Sequence, residues 1–236
     1  MYQDILTIAV VTVFAFFAIY WMWFQGEVDG SRLIAKNSMK QQKFNIILVL
    51  VAAFIVKAIL AVKNEGYSVD ITCFRSWSET VFTGGLSHFY EGDVTDYPPG
   101  YMLVLWLVAA IRHLFNIDNY STTGLFMIKL FPMLFDLAAA YLIYVMAKKR
   151  FSEGMSLMLS TLYALNPAVV IDSSVWGQVD GVLCCMVLLT CYLFMEEKRI
   201  LAYFAFCAGV LLKPQMVMFA SIIIYSIIEQ VFLHDF

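Results

Sequence analysis

Apolar segments of membrane-spanning length follow one another along the chain, and they limit the folds it can adopt. Residues 5–24, ILTIAVVTVFAFFAIYWMWF, supply about the 20 apolar residues that a helix needs to cross a bilayer. This segment lacks the basic start and small-residue cleavage site of a signal peptide, so we expect it to be retained. Further apolar segments lie at 44–62, 99–114, 126–147, 155–172, 181–195, 200–212 and 216–233. The sequence therefore predicts an all-α polytopic membrane protein built as a transmembrane helix bundle.

Composition supports this fold class and argues against several partners. The chain is 62% hydrophobic with a mean hydropathy of +0.79, values typical of polytopic membrane proteins. The net charge is −3, and no basic cluster exists beyond 148–150, which argues against nucleic-acid binding. The five cysteines show no CxxC spacing, so we expect neither a disulfide nor a metal site from them.

Basic residues predict the orientation and the division of the chain. Residues 25–43 and 148–150 carry lysines and arginines, and the positive-inside rule places both on the cytoplasmic side. We expect 1–43 to form an extra N-terminal transmembrane helix with a basic cytoplasmic loop. Residues 44–236 would form the N-terminal part of a transmembrane module, either complete or the front of a longer protein, with an outer loop at 64–98.

The predicted spans conflict in one place. The DYPP run at 96–99 and the WGQVD run at 176–180 both read as parts of the outer side, but three full spans would separate them. Three explanations are open: 99–114 is re-entrant or lies along the interface, another segment fails to cross, or 148–150 is an exception to the positive-inside rule. We favour an incomplete crossing by the short segment 99–114.

The outer loop is the long polar interval of the chain. It holds six acids, Glu65, Asp70, Glu79, Glu91, Asp93 and Asp96, against one base, Arg75. Asp70, Phe74 and Trp77 are spaced i, i+4, i+7, which places them on one face of an interfacial helix. Rings beside a carboxylate exclude water and offer a stacking surface for a sugar, so Asp70 is a candidate general base. The alternative is a solvated acid on an amphipathic interfacial helix.

The end of this loop, DYPPGY at 96–101, has two interpretations. Pro99 is well placed in the first turn of a helix, and the prolines hold Asp96 just before that helix begins. Asp93 or Asp96 would bind an acceptor hydroxyl or orient Arg75. As a device for starting a helix, the motif needs no function.

Two further polar runs point to ligand binding. Trp176, Gln178 and Asp180 lie within SSVWGQVDG, and an amide, a carboxylate and an indole together are typical of carbohydrate contacts. The alternative is an ordinary polar turn. Lys213 and Gln215 flank a proline that interrupts a membrane helix, and Lys213 would either bind a lipid-linked phosphate or extend to the interface.

Two charged residues lie inside the predicted span 126–147. Lys129 and Asp136 are seven residues apart, about 10 Å along a helix, so they cannot pair with each other. Charged groups inside a bilayer are usually paired or functional. We expect each to find a partner elsewhere, Asp136 and Lys129 most simply in ion pairs with other helices; the alternative is a transport function.

Taken together, these residues resemble the GT-C membrane glycosyltransferases. The nearer branch is the bacterial mannosyltransferases related to the GPI second mannosyltransferase, and the asparagine-linked glycosylation glucosyltransferases are more distant. The resemblance is carried by Asp70, Phe74 and Trp77, Gly84-Gly85, Phe89-Tyr90, DYPPGY, the Lys129 and Asp136 helix, Asn166-Pro167, WGQVD and Lys213-Pro214-Gln215.

The resemblance implies a reaction and a set of roles. A hexose, with mannose favoured, would pass from a polyprenyl-phosphate donor to an acceptor hydroxyl on the outer or lumenal face, with inversion and with Asp70 as the base. The expected substrate-binding residues are Trp77, Asp93, Asp96, Tyr97, Trp176, Gln178 and Asp180. The expected lipid-phosphate-binding residues are Arg75, Lys213 and Gln215.

The same resemblance implies the partners and the location. The partners would be the lipid-linked donor, a glycan, lipid or protein acceptor and the bilayer, without nucleic acid. No cofactor is expected, although some distant relatives use a divalent metal. A bacterial plasma membrane is favoured, with the endoplasmic reticulum as the alternative. The competing hypotheses are a transporter and a non-catalytic, truncated relative.

Overall fold

The computed structural model describes residues 39–92, 95 and 97–233 of the chain. All regular elements in these ranges are helices, which confirms the all-α prediction. The predicted span 5–24 and the residues Asp93 and Asp96 lie outside the described residues.

The helices succeed one another with short connections. In chain order they are α1 (Met39–Lys63), α2 (Ser68–Gly92), α3 (Pro99–Leu114), α4 (Thr122–Ala147), α5 (Glu153–Ala164), α6 (Pro167–Val170), a π-helix (Ile171–Trp176), α7 (Asp180–Met195), α8 (Arg199–Leu212), a 3-10 helix (Pro214–Phe219) and α9 (Ala220–Leu233). Several boundaries follow from local chemistry, since Pro99, Pro167 and Pro214 each open a helix at its first turn.

Two helices of the described chain are long and apolar enough to cross a membrane. They are Gln42–Lys63 and Thr122–Ala147, which match the predicted spans 44–62 and 126–147. A third span is present if α5 and the segment Pro167–Trp176, bent by 47°, are counted as one. The predicted segments after residue 180 form shorter apolar helices.

Helices α1 and α4 run antiparallel and define the two ends of the bundle. At one end Lys148 donates a hydrogen bond to the side chain of Gln42. At the other end Lys129 donates to the backbone carbonyl of Asn64, with 2.7 Å between nitrogen and oxygen. The basic residues 148–150 therefore lie at the end of the bundle opposite to the loop that leads into α2.

Helix α3 begins and ends at the same end of the bundle. Before α3, the ring of Tyr97 lies 5.9 Å from the ring of Phe74. After α3, the side chain of Asn119 donates to the backbone carbonyl of Arg75, at 3.3 Å. Because Phe74 and Arg75 are neighbours on α2, the chain returns to its starting level after α3. This geometry agrees with an incomplete crossing at 99–114.

The largest group of buried apolar side chains lies beneath the α2–α3 pair and α7. Its members include Phe74, Val81, Phe89, Tyr101, Met102, Leu105, Ile128, Val182 and Met216. Helix α2 bends at Gly85, whose φ of 75° is a backbone conformation that favours glycine. This core holds α2 and α7 together at the end of the bundle where the polar motifs meet.

Candidate active site

A cavity of about 640 Å³ opens where α2, the π-helix and the start of the 3-10 helix meet. Eight of the predicted site residues lie around it. The lining residues are Asp70, Cys73, Phe74, Trp77, Tyr97, Asp172, Trp176, Gln178, Asp180, Lys213 and Gln215. The outer loop and the SSVWGQVDG run, far apart in sequence, thus form the walls of one site.

Asp70 is held by two donors from the second wall. Its Oδ2 accepts hydrogen bonds from Trp176 Nε1 at 2.9 Å and from Gln178 Nε2 at 2.8 Å. Asp70 lies in the first turn of α2, where unpaired backbone amides favour a negative charge. Both donors therefore orient the carboxylate through one oxygen and leave Oδ1 without a hydrogen bond to either of them.

The turn that presents Trp176 and Gln178 depends on Gly177. The π-helix ends at Gly177, which has a φ of 91°, and the amides of Gly177 and Gln178 both donate to the carbonyl of Asp172 at 2.9 Å. This closure reverses the chain, so that the side chains on both sides of the glycine reach the same carboxylate.

Aromatic rings form the wall next to Asp70. Phe74, Trp77 and Tyr97 lie with ring centroids 5.7 to 5.9 Å apart. Phe74 is fully buried, whereas Trp77 and Tyr97 are half-buried and reach the cavity. The Tyr97 hydroxyl donates to Gln178 Oε1 at 3.3 Å, which connects this wall to the residue that orients Asp70. Such a surface suits the apolar face of a sugar ring.

A buried cation also lines the cavity. Lys213 follows the last residue of α8 and forms an ion pair with Asp180, the first residue of α7. The Lys213 side chain is 7% exposed, while that of Asp180 is 56% exposed. The cation is therefore fixed in the wall, and the carboxylate is the member of the pair that is open to the cavity.

Two lining residues were missed from the sequence. Cys73 lies one turn after Asp70 on α2, and the helical spacing that identified Phe74 would have found it. Asp172 ends the apolar segment 155–172, and a single acid in such a segment is the sequence feature that could have identified it as a candidate site residue.

Arg75 is a predicted phosphate-binding residue that the structure does not bring to the cavity. Its guanidinium lies 5.2 Å from the ring centroid of Tyr120, and Arg75 is absent from the lining set. The helical periodicity explains this position, because Arg75 lies on a different face of α2 from Asp70 and Phe74.

The charged residues within α4 have separate partners. Asp136 pairs with Lys57 of α1 at 2.8 Å, and both side chains are fully buried, as expected for an ion pair between helices. Lys57, a single lysine in an apolar span, was missed. Lys129 instead donates to backbone carbonyls, including that of Ser174 at 3.1 Å. The expected ion pair is correct for Asp136, but Lys129 has a different kind of partner.

Within the described part of the chain, no three His, Cys, Asp or Glu side chains are grouped so as to hold a metal ion. The expectation that no cofactor is needed stays a prediction.

Comparisons with known proteins agree with the motifs. Residues 96–235 match the family described as dolichyl-phosphate-mannose-protein mannosyltransferase. The chain is 27% identical over 128 residues to GPI mannosyltransferase 1 of Saccharomyces cerevisiae, a match that covers 52% of this chain and 29% of the yeast protein. No solved structure matches the chain significantly. The family match includes the SSVWGQVDG run and Lys213 but begins after Asp70.

Proposed function

Because the chain belongs to the dolichyl-phosphate-mannose-protein mannosyltransferase family, which confirms the resemblance to GT-C glycosyltransferases, we propose that it carries the active site of a membrane glycosyltransferase. The proposed reaction moves a hexose, with mannose favoured, from a polyprenyl-phosphate donor to an acceptor hydroxyl on the outer or lumenal face. The chain spans 29% of the yeast relative, so the activity is proposed for the whole protein. The bacterial plasma membrane stays a prediction.

Asp70 is the proposed general base. The acceptor hydroxyl would give its proton to Oδ1, the oxygen that Trp176 and Gln178 leave open. The acceptor oxygen then bonds to the anomeric carbon while the bond from that carbon to the phosphate oxygen breaks on the opposite face. This displacement inverts the anomeric configuration. A positioned base typically contributes about 10²- to 10⁴-fold to the rate.

Lys213 is the proposed partner of the leaving phosphate. The negative charge that develops on the lipid phosphate is stabilised by a cation already fixed beside it. Since Asp180 is the more exposed member of the ion pair, the phosphate would take its place on Lys213. Gln215, two residues further on in the first turn of the 3-10 helix, would add a donor, and Trp77, Tyr97 and Trp176 would stack on the sugar.

One observation carries this proposal. A carboxylate, oriented by an indole and an amide, shares a cavity of about 640 Å³ with a buried cation. The transport hypothesis rested on Lys129 and Asp136, and both have partners within the fold that account for their charge.

The experiment uses the full-length protein in membranes. Polyprenyl-phosphate-linked mannose and glucose are supplied with a glycolipid extract, and wild type is compared with Asp70→Asn at equal expression. We expect wild type to transfer one sugar and Asp70→Asn to lose about 10²- to 10⁴-fold in rate. Glu65→Gln, an exposed acid in the same loop, serves as the matched control and should retain activity. Equal rates for wild type and Asp70→Asn would exclude Asp70 as the base, and an inactive wild type would favour the transport or non-catalytic hypotheses.

A further inference from the structure

Lys129 is a fully buried cation that is satisfied by backbone oxygens. Its Nζ donates to the carbonyls of Asn64 at 2.7 Å, Ser174 at 3.1 Å and Val175 at 3.2 Å, with a longer contact to that of Ala61 at 3.5 Å. The ion pairs of the described residues do not include Lys129. An ammonium group has three hydrogens to donate, and three carbonyls within 3.2 Å take them. The buried charge is thus accommodated without an acid.

These carbonyls belong to the carboxyl ends of two helices. Asn64 follows the last residue of α1, and Ser174 and Val175 lie in the last turn of the π-helix. The final carbonyls of a helix have no partner within it and carry a partial negative charge. One ammonium group therefore ties two helix ends together and compensates the charge of both.

Both segments enter the active site just beyond this point. The amide of Tyr67 donates to the carbonyl of Trp176 at 2.9 Å, and the two rings lie 5.1 Å apart. Asp70 follows Tyr67 in the first turn of α2, and Trp176 and Gln178 provide the two donors to its carboxylate. The distance between the two helix ends thus sets the position of these two donor groups relative to the Asp70 carboxylate.

We propose that Lys129 is a positioning residue, which holds 64–67 against 174–178 so that Trp176 and Gln178 orient the Asp70 carboxylate. Lys129 does not line the cavity, so it acts through the backbone and not on the substrate. The contribution to catalysis rests on the proposed function, whereas the contribution to the geometry does not.

The first test measures kcat and KM for the lipid-linked donor with the full-length protein. Lys129→Met keeps the apolar side chain and removes every hydrogen bond to these carbonyls. We expect kcat to fall about 10- to 100-fold, as for a misplaced catalytic group, with little change in KM. The double variant Lys129→Met, Gln178→Leu should lose less kcat than the product of the two single losses, because both residues act on the same carboxylate. A wild-type kcat, or losses that multiply fully, would overturn the proposal.

Lys129→Gln keeps the test valid if Lys129→Met does not fold. The amide retains two donors for the carbonyls and lacks the charge. We expect Lys129→Gln to have a kcat between those of wild type and Lys129→Met, again with little change in KM. Its loss of kcat should also not multiply with the loss caused by Gln178→Leu. An effect confined to KM would show that Lys129 acts on substrate binding, contrary to the proposal.

A second readout is independent of sugar transfer. Cys73 lines the cavity one turn from Asp70, and its alkylation rate reports on the wall formed by 174–178. In detergent we expect Cys73 to react several-fold faster in Lys129→Met or Lys129→Gln, while Cys207, exposed on α8, reacts equally in all samples. Unchanged Cys73 rates would refute the positioning role. Faster Cys73 labelling with an inactive wild type would refute the proposed function and leave the positioning intact.

Discussion

At the scale of single residues, the site depends on contacts between positions far apart in sequence. Asp70 is oriented by Trp176 and Gln178, which are more than a hundred positions away. The spacing along α2 was sufficient to place Asp70 beside Phe74 and Trp77, because helical periodicity is local. The two donors to one oxygen of this carboxylate can be identified only from the tertiary structure, in which the turn at Gly177 lies next to α2.

The conformation of Gly177 leads to a prediction at this scale. Its φ is 91°, and an added Cβ would lie 2.7 Å from Ile71 Cδ1. We expect Gly177→Ala to lower the free energy of unfolding by more than the roughly 1–2 kcal/mol of left-handed strain, and to reduce sugar transfer by displacing Trp176 and Gln178.

Gly85→Ala provides a control for the effect on sugar transfer. Gly85 has a φ of 75° and a ψ of 171°, a conformation that strains any other residue, and an added Cβ would meet no atom within 4 Å. Thermal unfolding in detergent should therefore show a loss of stability in both variants, whereas initial transfer rates should fall more for Gly177→Ala. Equal losses of transfer at equal stability would mean that strain, and not the displacement of Trp176 and Gln178, limits activity.

At the scale of elements, α2 and α3 are joined by a polar cluster at the end of α3. Glu79 of α2 accepts hydrogen bonds from Arg112 and from His113 Nε2, the latter at 2.9 Å, and the His113 ring stacks on Phe82. Burial acts to raise the pKa of the Glu79 carboxyl. The hydrogen bonds and charges of His113 and Arg112 outweigh it, so the pKa lies below its ordinary value.

This cluster predicts a pH-dependent contribution to stability. Because the Glu79 pKa is lower in the folded state, its contribution is present above the ordinary pKa of 4.5 and is lost as the pH falls through the folded-state value. We expect Glu79→Gln to lower the unfolding temperature at neutral pH and the difference from wild type to shrink towards about pH 4. Glu91→Gln, an exposed acid on the same helix, should show little difference at either pH; a constant deficit for Glu79→Gln would contradict the assignment.

At the scale of the whole molecule, the two ends of the bundle differ in chemistry. Lys148 and Lys149 lie at one end, where Lys149 pairs with Glu196 of the turn between α7 and α8. The cavity and both ends of α3 lie at the other. The proposed donor, with a long lipid tail and a polar phosphate, suits a site at one end of an apolar bundle, because its tail stays in lipid.

This arrangement predicts the sidedness of labelling. In a cysteine-free full-length protein, Thr95→Cys and Asn119→Cys flank α3 and should react with an impermeant thiol reagent from the same side of sealed vesicles. Lys149→Cys should react only from the opposite side. Labelling of positions 95 and 119 from different sides would show that α3 crosses the membrane, and would contradict the arrangement described above.

The sequence by itself determined the fold class, the spans 44–62 and 126–147, the helix boundaries at Pro99 and Pro214, and most of the residues that line the cavity. Hydropathy, helical spacing and turn chemistry are properties of short segments, so they can be read without a fold. Helical spacing along α2 is also sufficient to assign Cys73 to the face of Asp70 and Arg75 to another face. Only the tertiary structure decided that Asp172 lines the cavity and that Lys57 and Lys129 have the partners they do. The rotation and depth of each helix set these contacts, and both depend on how the helices pack against one another.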